Sequence, residues 1–459
     1  MSGTRLFGTD GVRGEANVSL TPQLALHLGM AAGEFLRQQA LLEGPAKRPE
    51  VLVGRDTRLS GEMLQAALAS GFASMGIDVV DVGVMPTPGV ARLVLLRKAV
   101  AGAVISASHN PYYDNGIKFL GSNGKKLPDA MEDTIASHIP LLESLPRVKG
   151  AEIGRIRTDT SLAEAYAQCV KETLRSLGSK PLAGLKLVLD CANGATYALA
   201  PSIFGDLGAE VVVLNANPDG VNINRECGST HPEPLAKSTQ YHKAHAGLAF
   251  DGDADRVIMA DEQGRVVDGD RIMAILALQM AHEDRLPGRI VVATVMSNVG
   301  LEQALEREGI RLHRTDVGDR YVAEAMDALG AGLGGEQSGH ILLPHLSPTG
   351  DGMITGLQVL SIMVQTGKSL SELASVVQTC PQILRNVRVQ DRQAWRNDAV
   401  IQQAIERARK RLGRDEWLSV RASGTEPLVR VMAQGTDATL VQSVVEEICT
   451  LIETRCGLS

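Results

Sequence analysis

The sequence predicts an α/β protein, with three tandem α/β domains carrying mixed, largely parallel sheets and a C-terminal α+β domain. Three observations carry that prediction. One is a rhythm met three times: an apolar strand, a short polar turn, a helix, then a second strand led by glycine. This is the pattern of βαβ units in buried, largely parallel sheets, and three of them over about 300 residues imply three related domains. Another is composition: aromatic residues make up only 3% of the chain against 47 glycines. That balance favours close-packed α/β architecture with tight loops over an aromatic-rich sandwich. The last is length, since 459 residues at ~100–200 per domain allow two to four domains.

The elements follow in order. The first unit runs from Val51-Leu52-Val53 through a helix at 60–74 to Gly76-Ile77-Asp78-Val79-Val80. The second runs from Leu187-Val188-Leu189 through a helix at 195–205 to Gly208-Ala209-Glu210-Val211-Val212. The third runs from Ile290-Val291-Val292 through 298–308 to Gly309-Ile310-Arg311-Leu312-His313. A Pro/Gly/basic stretch at 145–158 ends the first domain, and Ser161-Leu162-Ala163-Glu164 reads as a capping box opening the next helix. A second break follows Ala260-Asp261-Glu262-Gln263-Gly264, and a third lies beyond the helix opened by Ser369-Leu370-Ser371-Glu372. The C-terminal pattern differs: a strand around 383–389, a helix at 398–412, two strands flanking Ser423-Gly424, and an amphipathic helix at 437–455. The expected domains are therefore 1–157, 158–261, 262–376 and 377–459.

Several function classes drop out. The net charge is −7 and no basic block appears, so no nucleic-acid footprint is expected. Apolar runs such as 272–278 fall far short of the ~18 residues of a membrane span. The chain reaches Asp10 without the apolar run of a signal peptide. Six scattered cysteines without a C-x-x-C pair indicate neither a zinc site nor a disulfide framework. Free thiols in a reducing cytoplasm are the expectation.

Four loops hold the candidate chemistry. In Ile105-Ser106-Ala107-Ser108-His109-Asn110-Pro111, a Ser beside a His leaves an apolar strand where open α/β sheets place ligands. The same residues also suit a plain Asx or Ser/Thr turn, and they do not form a G-x-S-x-G elbow. In Asp251-Gly252-Asp253-Ala254-Asp255-Arg256, three carboxylates alternate along a chain leaving a strand. An extended i, i+2 spacing of ~6.5 Å is too wide for one ion, so the chain must curl, which Gly252 permits. Like charges that close call for a cation, and oxygen ligands suit Mg²⁺. The spacing imitates a calcium loop, yet Arg256 occupies the position that loop reserves for glycine. In Gly334-Gly335-Glu336-Gln337-Ser338-Gly339-His340, Glu336, Ser338 and His340 offer donors and acceptors to sugar hydroxyls, or build an ordinary turn. In Arg421-Ala422-Ser423-Gly424-Thr425-Glu426-Pro427, joined by Arg430, hydroxyls, an exposed backbone and two guanidiniums suit a phosphate, or a solvated hairpin.

With Leu6-Phe7-Gly8-Thr9-Asp10-Gly11-Val12-Arg13-Gly14, Gly54-Arg55-Asp56-Thr57-Arg58 and Asp114-Asn115-Gly116-Ile117-Lys118, these loops resemble the α-D-phosphohexomutase superfamily over nearly the whole chain. Gln337 and Gly424 resemble its glucosamine branch, whereas the glucose and mannose mutases more often carry Met and Asn there. The alternative is a phosphomannomutase/phosphoglucomutase of the same superfamily. The resemblance implies four domains around a central cleft. It also implies interconversion of glucosamine 6-phosphate and glucosamine 1-phosphate towards UDP-N-acetylglucosamine, through a glucosamine 1,6-bisphosphate, and a cytoplasmic homodimer acting on small molecules. Ser108 would rest as phosphoserine, held with Mg²⁺ on Asp251, Asp253 and Asp255, with Arg13, Lys118 and Arg256 as compensating cations. Lys118 or His109 would move the proton. Arg421, Ser423, Gly424, Thr425 and Arg430 would grip the phosphate that is not reacting, and Glu336 and Ser338 the sugar hydroxyls, with His340 beside them as a further acid/base group, a support behind the contacting residues, or a packed, hydrogen-bonded histidine. Two other classes compete: a Mg²⁺ phosphatase with a seryl intermediate, and a calcium or sugar-phosphate sensor.

Overall fold

A computed structural model describes residues 5–8, 10–43, 48–145, 147–423 and 427–457. The chain divides into two compact units, Met1–Ile272 with Ser338–Leu373 and Met273–Gln337 with Ala374–Ser459.

The first unit contains two mixed sheets. One has six strands in the order Val12–Glu15, Asp114–Gly121, Ala101–Ile105, Glu50–Arg55, Asp78–Val84, Ile156–Thr158. Its centre is parallel, with Val51 facing Ala101 on one side and Val79 on the other, and Val51, Leu52, Val53 and Val79 are fully buried. Strands covered on both faces must be largely apolar, which explains the runs of Val, Leu, Ile and Ala along them. Strand Asp114–Gly121 returns antiparallel beside Ala101–Ile105, so residues 106–113 form a loop at the carboxyl end of a central strand. Helices Pro22–Glu43 and Gly61–Ser74 pack closely against each other because each offers a glycine at the contact. A Cβ on Gly71 would stand 2.9 Å from the Cα of Gly29.

The second sheet has the order Val266–Val267, Val257–Asp261, Ala246–Phe250, Lys186–Asp190, Glu210–Leu214. Phe250 pairs with Val257, which leaves residues 251–256 as the turn of a buried hairpin. In the second unit, strands Arg311–Thr315, Ile290–Thr294 and Gly334–Gly335 run parallel. A separate antiparallel sheet, Gln382–Arg388, Leu428–Gln434 and Leu418–Ala422, shares its core with helices Ala399–Leu412 and Ala438–Cys456 through Val429, Val431, Ile405, Val445 and Ile448. Among the described residues, no helix is long and apolar enough to cross a membrane.

Two local expectations need correction. The helix expected at 195–205 is Leu199–Asp206. Ala192 and Asn193 are left-handed, and the Ala195 N–H donates to the Gly252 carbonyl at 2.8 Å, so this stretch is spent on a turn. Ser161 makes no capping box: it has helical dihedrals, and its hydroxyl donates to Asp159 at 2.5 Å. The reciprocal pattern appears instead at Ser369, whose N–H donates to Glu372 Oε2 at 2.8 Å while the Glu372 N–H donates to Ser369 Oγ at 3.3 Å.

Candidate active site

Ser108 leaves the central strand of the first sheet on a tightly bonded loop. The Ser106 hydroxyl donates to Asp56 Oδ2 at 2.6 Å and accepts the Ser108 N–H at 2.9 Å. Ser108 itself is left-handed, with φ of 49°, and is 2% exposed. Its hydroxyl donates to Asp251 Oδ2 at 2.6 Å and stands 3.3 Å from His109 Nδ1. Burial, then the Arg256 and Arg13 guanidiniums, push the His109 imidazole down to about 4.

The acidic turn meets that hydroxyl. Asp251, Asp253 and Asp255 are all buried, each with a ligand oxygen within 4.8 Å of the others'. The sequence reading placed the curl at Gly252, but Ala254 is the left-handed residue, with φ of 62°. Gly252 serves close approach instead, since a Cβ there would stand 2.6 Å from the Ser108 carbonyl oxygen. Thr87 Oγ1 donates to Asp253 Oδ2 at 2.6 Å, the Arg256 N–H donates to Asp251 Oδ1 at 3.2 Å, and His340 Nδ1 lies 3.5 Å from Asp255 Oδ2. Burial, then Asp255 and Asp253, drive the Asp251 carboxyl far up, and burial with Asp255 raises Asp253 to about 6. Burial pushes Asp255 the same way, yet His340 and Arg256 outweigh it and hold Asp255 low. Oδ1 of Asp253 and Oδ1 of Asp255 are buried without a hydrogen-bond partner. Clustered, repelling carboxylates with buried, unbonded oxygens are the donor set a hard divalent cation takes, so the residues present fit Mg²⁺.

Two of the expected cations meet on one carboxylate. Lys118 Nζ lies 2.5 Å from Asp10 Oδ1, and the Arg13 guanidinium pairs with the other oxygen. The adjacent strands Val12–Glu15 and Asp114–Gly121 set this up by registering Arg13 against Gly116. Burial alone would raise Asp10, but Lys118 and Arg13 hold it down to about 2. Arg256 Nε stands 3.8 Å from Asp255. His340 is buried, its ring packed so close to Gly350 that a Cβ there would come within 2.5 Å.

Glu336 lies in the second unit and Ser338 begins the return to the first; both are half-buried, on the turn after strand Gly334–Gly335. In the C-terminal sheet, Arg421 and Arg430 face each other directly across paired strands. Like charges in that position repel. Burial, then Arg430, lower the Arg421 guanidinium below its usual range. Ser423 is buried, and its carbonyl accepts from Arg392 Nη1 at 3.2 Å. Gly424 and Thr425 lie outside the described residues.

Comparison with known proteins establishes the family. Four family models match in sequence: phosphoglucomutase/phosphomannomutase alpha/beta/alpha domain I at 4–144, domain II at 164–264, domain III at 268–380 and the C-terminal domain at 384–451. The chain is 50% identical to the phosphoglucosamine mutase of Carboxydothermus hydrogenoformans, across 98% of this chain and 99% of that one. It is 51% identical to the phosphoglucosamine mutase of Symbiobacterium thermophilum, with coverage of 98% and 99%. The chain belongs to the phosphoglucosamine mutase family. Membership makes it an isomerase, an intramolecular phosphotransferase of the phosphohexomutase type. The fold has its counterpart in a phosphoglucomutase/phosphomannomutase family protein from Burkholderia thailandensis, with a TM-score of 0.80, 24% identity and 98% of each chain covered.

Sequence reasoning missed Asp10, Asp56, Arg58, Thr87 and Asn224, all of which touch the site. Asp10 and Arg58 stood inside quoted motifs without a role. Thr87 and Asn224 carried no local signal, because their partners are 166 and 116 residues away.

Proposed function

We propose that this mutase interconverts glucosamine 6-phosphate and glucosamine 1-phosphate through phosphoserine at Ser108 and a glucosamine 1,6-bisphosphate. The observation that carries the assignment is the buried Ser108 hydroxyl bonded at 2.6 Å to a carboxylate of the acidic turn. A hydroxyl in that position is poised to exchange a phosphoryl group beside a cation site and out of bulk water.

The free hydroxyl of the substrate attacks the phosphorus, the Ser108 Oγ–P bond breaks, and the proton of the attacking hydroxyl ends on Ser108 Oγ. Of the candidates for moving it, His109 has a ring nitrogen 3.3 Å from Oγ, whereas Lys118 is held on Asp10 and His340 lies against Asp255. We assign the proton to His109 Nδ1 and electrostatic stabilisation of the moving phosphoryl group to Lys118, Arg13 and Arg256. Asp251, Asp253 and Asp255, with the Ser108 phosphate, would hold Mg²⁺, which when bound neutralises charge and polarises phosphoryl oxygens. His340 orients Asp255. After the sugar turns over, Ser108 takes the other phosphate back. Arg421, Ser423, Gly424, Thr425 and Arg430 grip the phosphate that is not reacting, and Glu336 and Ser338 hold sugar hydroxyls.

The division at 157, 261 and 376 remains our proposed set of domain boundaries. A cytoplasmic setting is supported by six free cysteines, and a homodimer by the family resemblance. The test is Ser108→Ala. It should melt as the wild type does, carry no phosphate and lose roughly 10⁴-fold or more in turnover; wild-type turnover would overturn the scheme.

A further inference from the structure

The strained backbone at Ser108 is held from outside its own loop. A left-handed conformation is costly for a residue with a β-carbon, so something must hold it. Arg58 does so with every donor it has. Its guanidinium carries five N–H groups. Nε donates to Asp56 Oδ2 at 2.8 Å. Nη1 donates to the carbonyls of Pro111 and Asp114, the second at 3.0 Å. Nη2 donates to the carbonyls of Ser108 at 2.9 Å and Asn110 at 2.8 Å. The Arg58 and Asp56 side chains are both fully buried, so this cation is neutralised and immobile.

A second clamp arrives from a turn beyond strand Glu210–Leu214 of the second sheet. The Asn224 amide donates to the same two carbonyls, Ser108 at 2.8 Å and Asn110 at 3.2 Å. Both acceptors therefore receive an arginine and an asparagine donor. Asn224 is itself left-handed, with φ of 58°, and its N–H is anchored on the Ala192 carbonyl at 2.9 Å. Gly252 closes the arrangement, because any side chain there would strike the Ser108 carbonyl.

We propose that Arg58 and Asn224 are positioning residues for phosphoryl transfer, fixing the Ser108 nucleophile through its backbone carbonyls so that Oγ keeps its aim at Asp251 whether or not it carries phosphate. A grip on the side chain would change each time the group is gained or lost; a grip on the carbonyls does not. The segment that carries Asn224 thereby acts on chemistry in a loop 116 residues away. Lysine cannot replace Arg58, since a single ammonium offers three donors from one point.

The proposal rests on the reading of Ser108 as the phosphoryl carrier, and its test separates the two. Asn224→Gly keeps the left-handed backbone without steric cost and removes only the clamp. Its kcat, KM, melting temperature and rate of Ser108 phosphorylation by glucosamine 1,6-bisphosphate are compared with those of the wild type, Arg58→Lys and Ser108→Ala. A misplaced nucleophile predicts a fall in kcat and in phosphorylation rate of about tenfold to a hundredfold, with KM within about twofold and the folded fraction unchanged. Arg58→Lys should fall further; if it does not fold, Asn224→Gly decides alone. Wild-type kcat in Asn224→Gly, or a loss that only tracks unfolded protein, overturns the clamp while an inactive Ser108→Ala leaves the reading standing. An active Ser108→Ala overturns both.

Discussion

Asp351 shows at the scale of one residue how burial sets pH behaviour here. Its carboxylate caps helix Gly352–Thr366 by accepting the Ile354 N–H at 3.0 Å, and it accepts the Tyr166 hydroxyl at 2.7 Å. Burial nevertheless outweighs those bonds and pushes it up to about 6. A folded-state pKa above the unfolded one means that the native protein holds the extra proton, so this group's contribution is most favourable below about pH 4 and declines as pH rises through about 6. Asp351→Asn should remove that slope. Relative to the wild type, the variant should gain about 2 kcal/mol between pH 4 and pH 7, measured by urea unfolding at both values. Parallel pH curves for the two proteins would contradict this. The residues that the sequence could show were those whose chemistry is written locally: Ser108 beside His109, and carboxylates at alternate positions. Thr87 and Asn224 could not be found that way, because each acquires its role only when the fold brings a partner more than a hundred residues away to it; Asp10 stood beside Arg13 in its motif, but nothing local showed that Lys118 would share its carboxylate.

Among the elements, the C-terminal hairpin carries its own test. Arg421 opposite Arg430 is an unfavourable pair, worth roughly 0.2–1 kcal/mol, unless an anion lies between them. Arg421→Ala should therefore fold at least as well as the wild type without ligand. It should raise KM about tenfold or more, by removal of a charge-assisted phosphate contact, and leave Ser108 phosphorylation stoichiometry intact. Steady-state kinetics and intact mass check both; an unchanged KM removes this hairpin from the phosphate grip. Elements were most legible where the pattern was long. The helix announced around 298–308 is Val299–Arg307 with Asn298 as its cap. Short signals were weaker: Ser161 and Ser369 carry the same Ser-x-x-Glu spacing, but only the second forms the reciprocal bonds. At Ser161 a nearby aspartate took the hydroxyl first.

For the whole molecule, the repeated βαβ rhythm disclosed the α/β sheets and the change of pattern disclosed the small antiparallel one. The site was disclosed as types of residue rather than as a network. The charge the molecule buries at Asp251, Asp253 and Asp255 also links the site to global stability. A cation that binds only the folded chain adds about 2.7 kcal/mol at a hundred times its dissociation constant. Mg²⁺ should raise the melting temperature and a chelator should lower it. Asp253→Asn should melt higher than the wild type without metal, through relief of repulsion, and respond less to Mg²⁺. Identical melts with and without Mg²⁺ would contradict the cation assignment. The central claim is that Ser108 carries the phosphoryl group, and the most direct measurement is the intact mass of the protein after incubation with glucosamine 1,6-bisphosphate and Mg²⁺, followed by peptide mapping. The account predicts one phosphate, on the Ser108 peptide, transferable to glucosamine 6-phosphate. An unmodified Ser108 peptide after that incubation would contradict it.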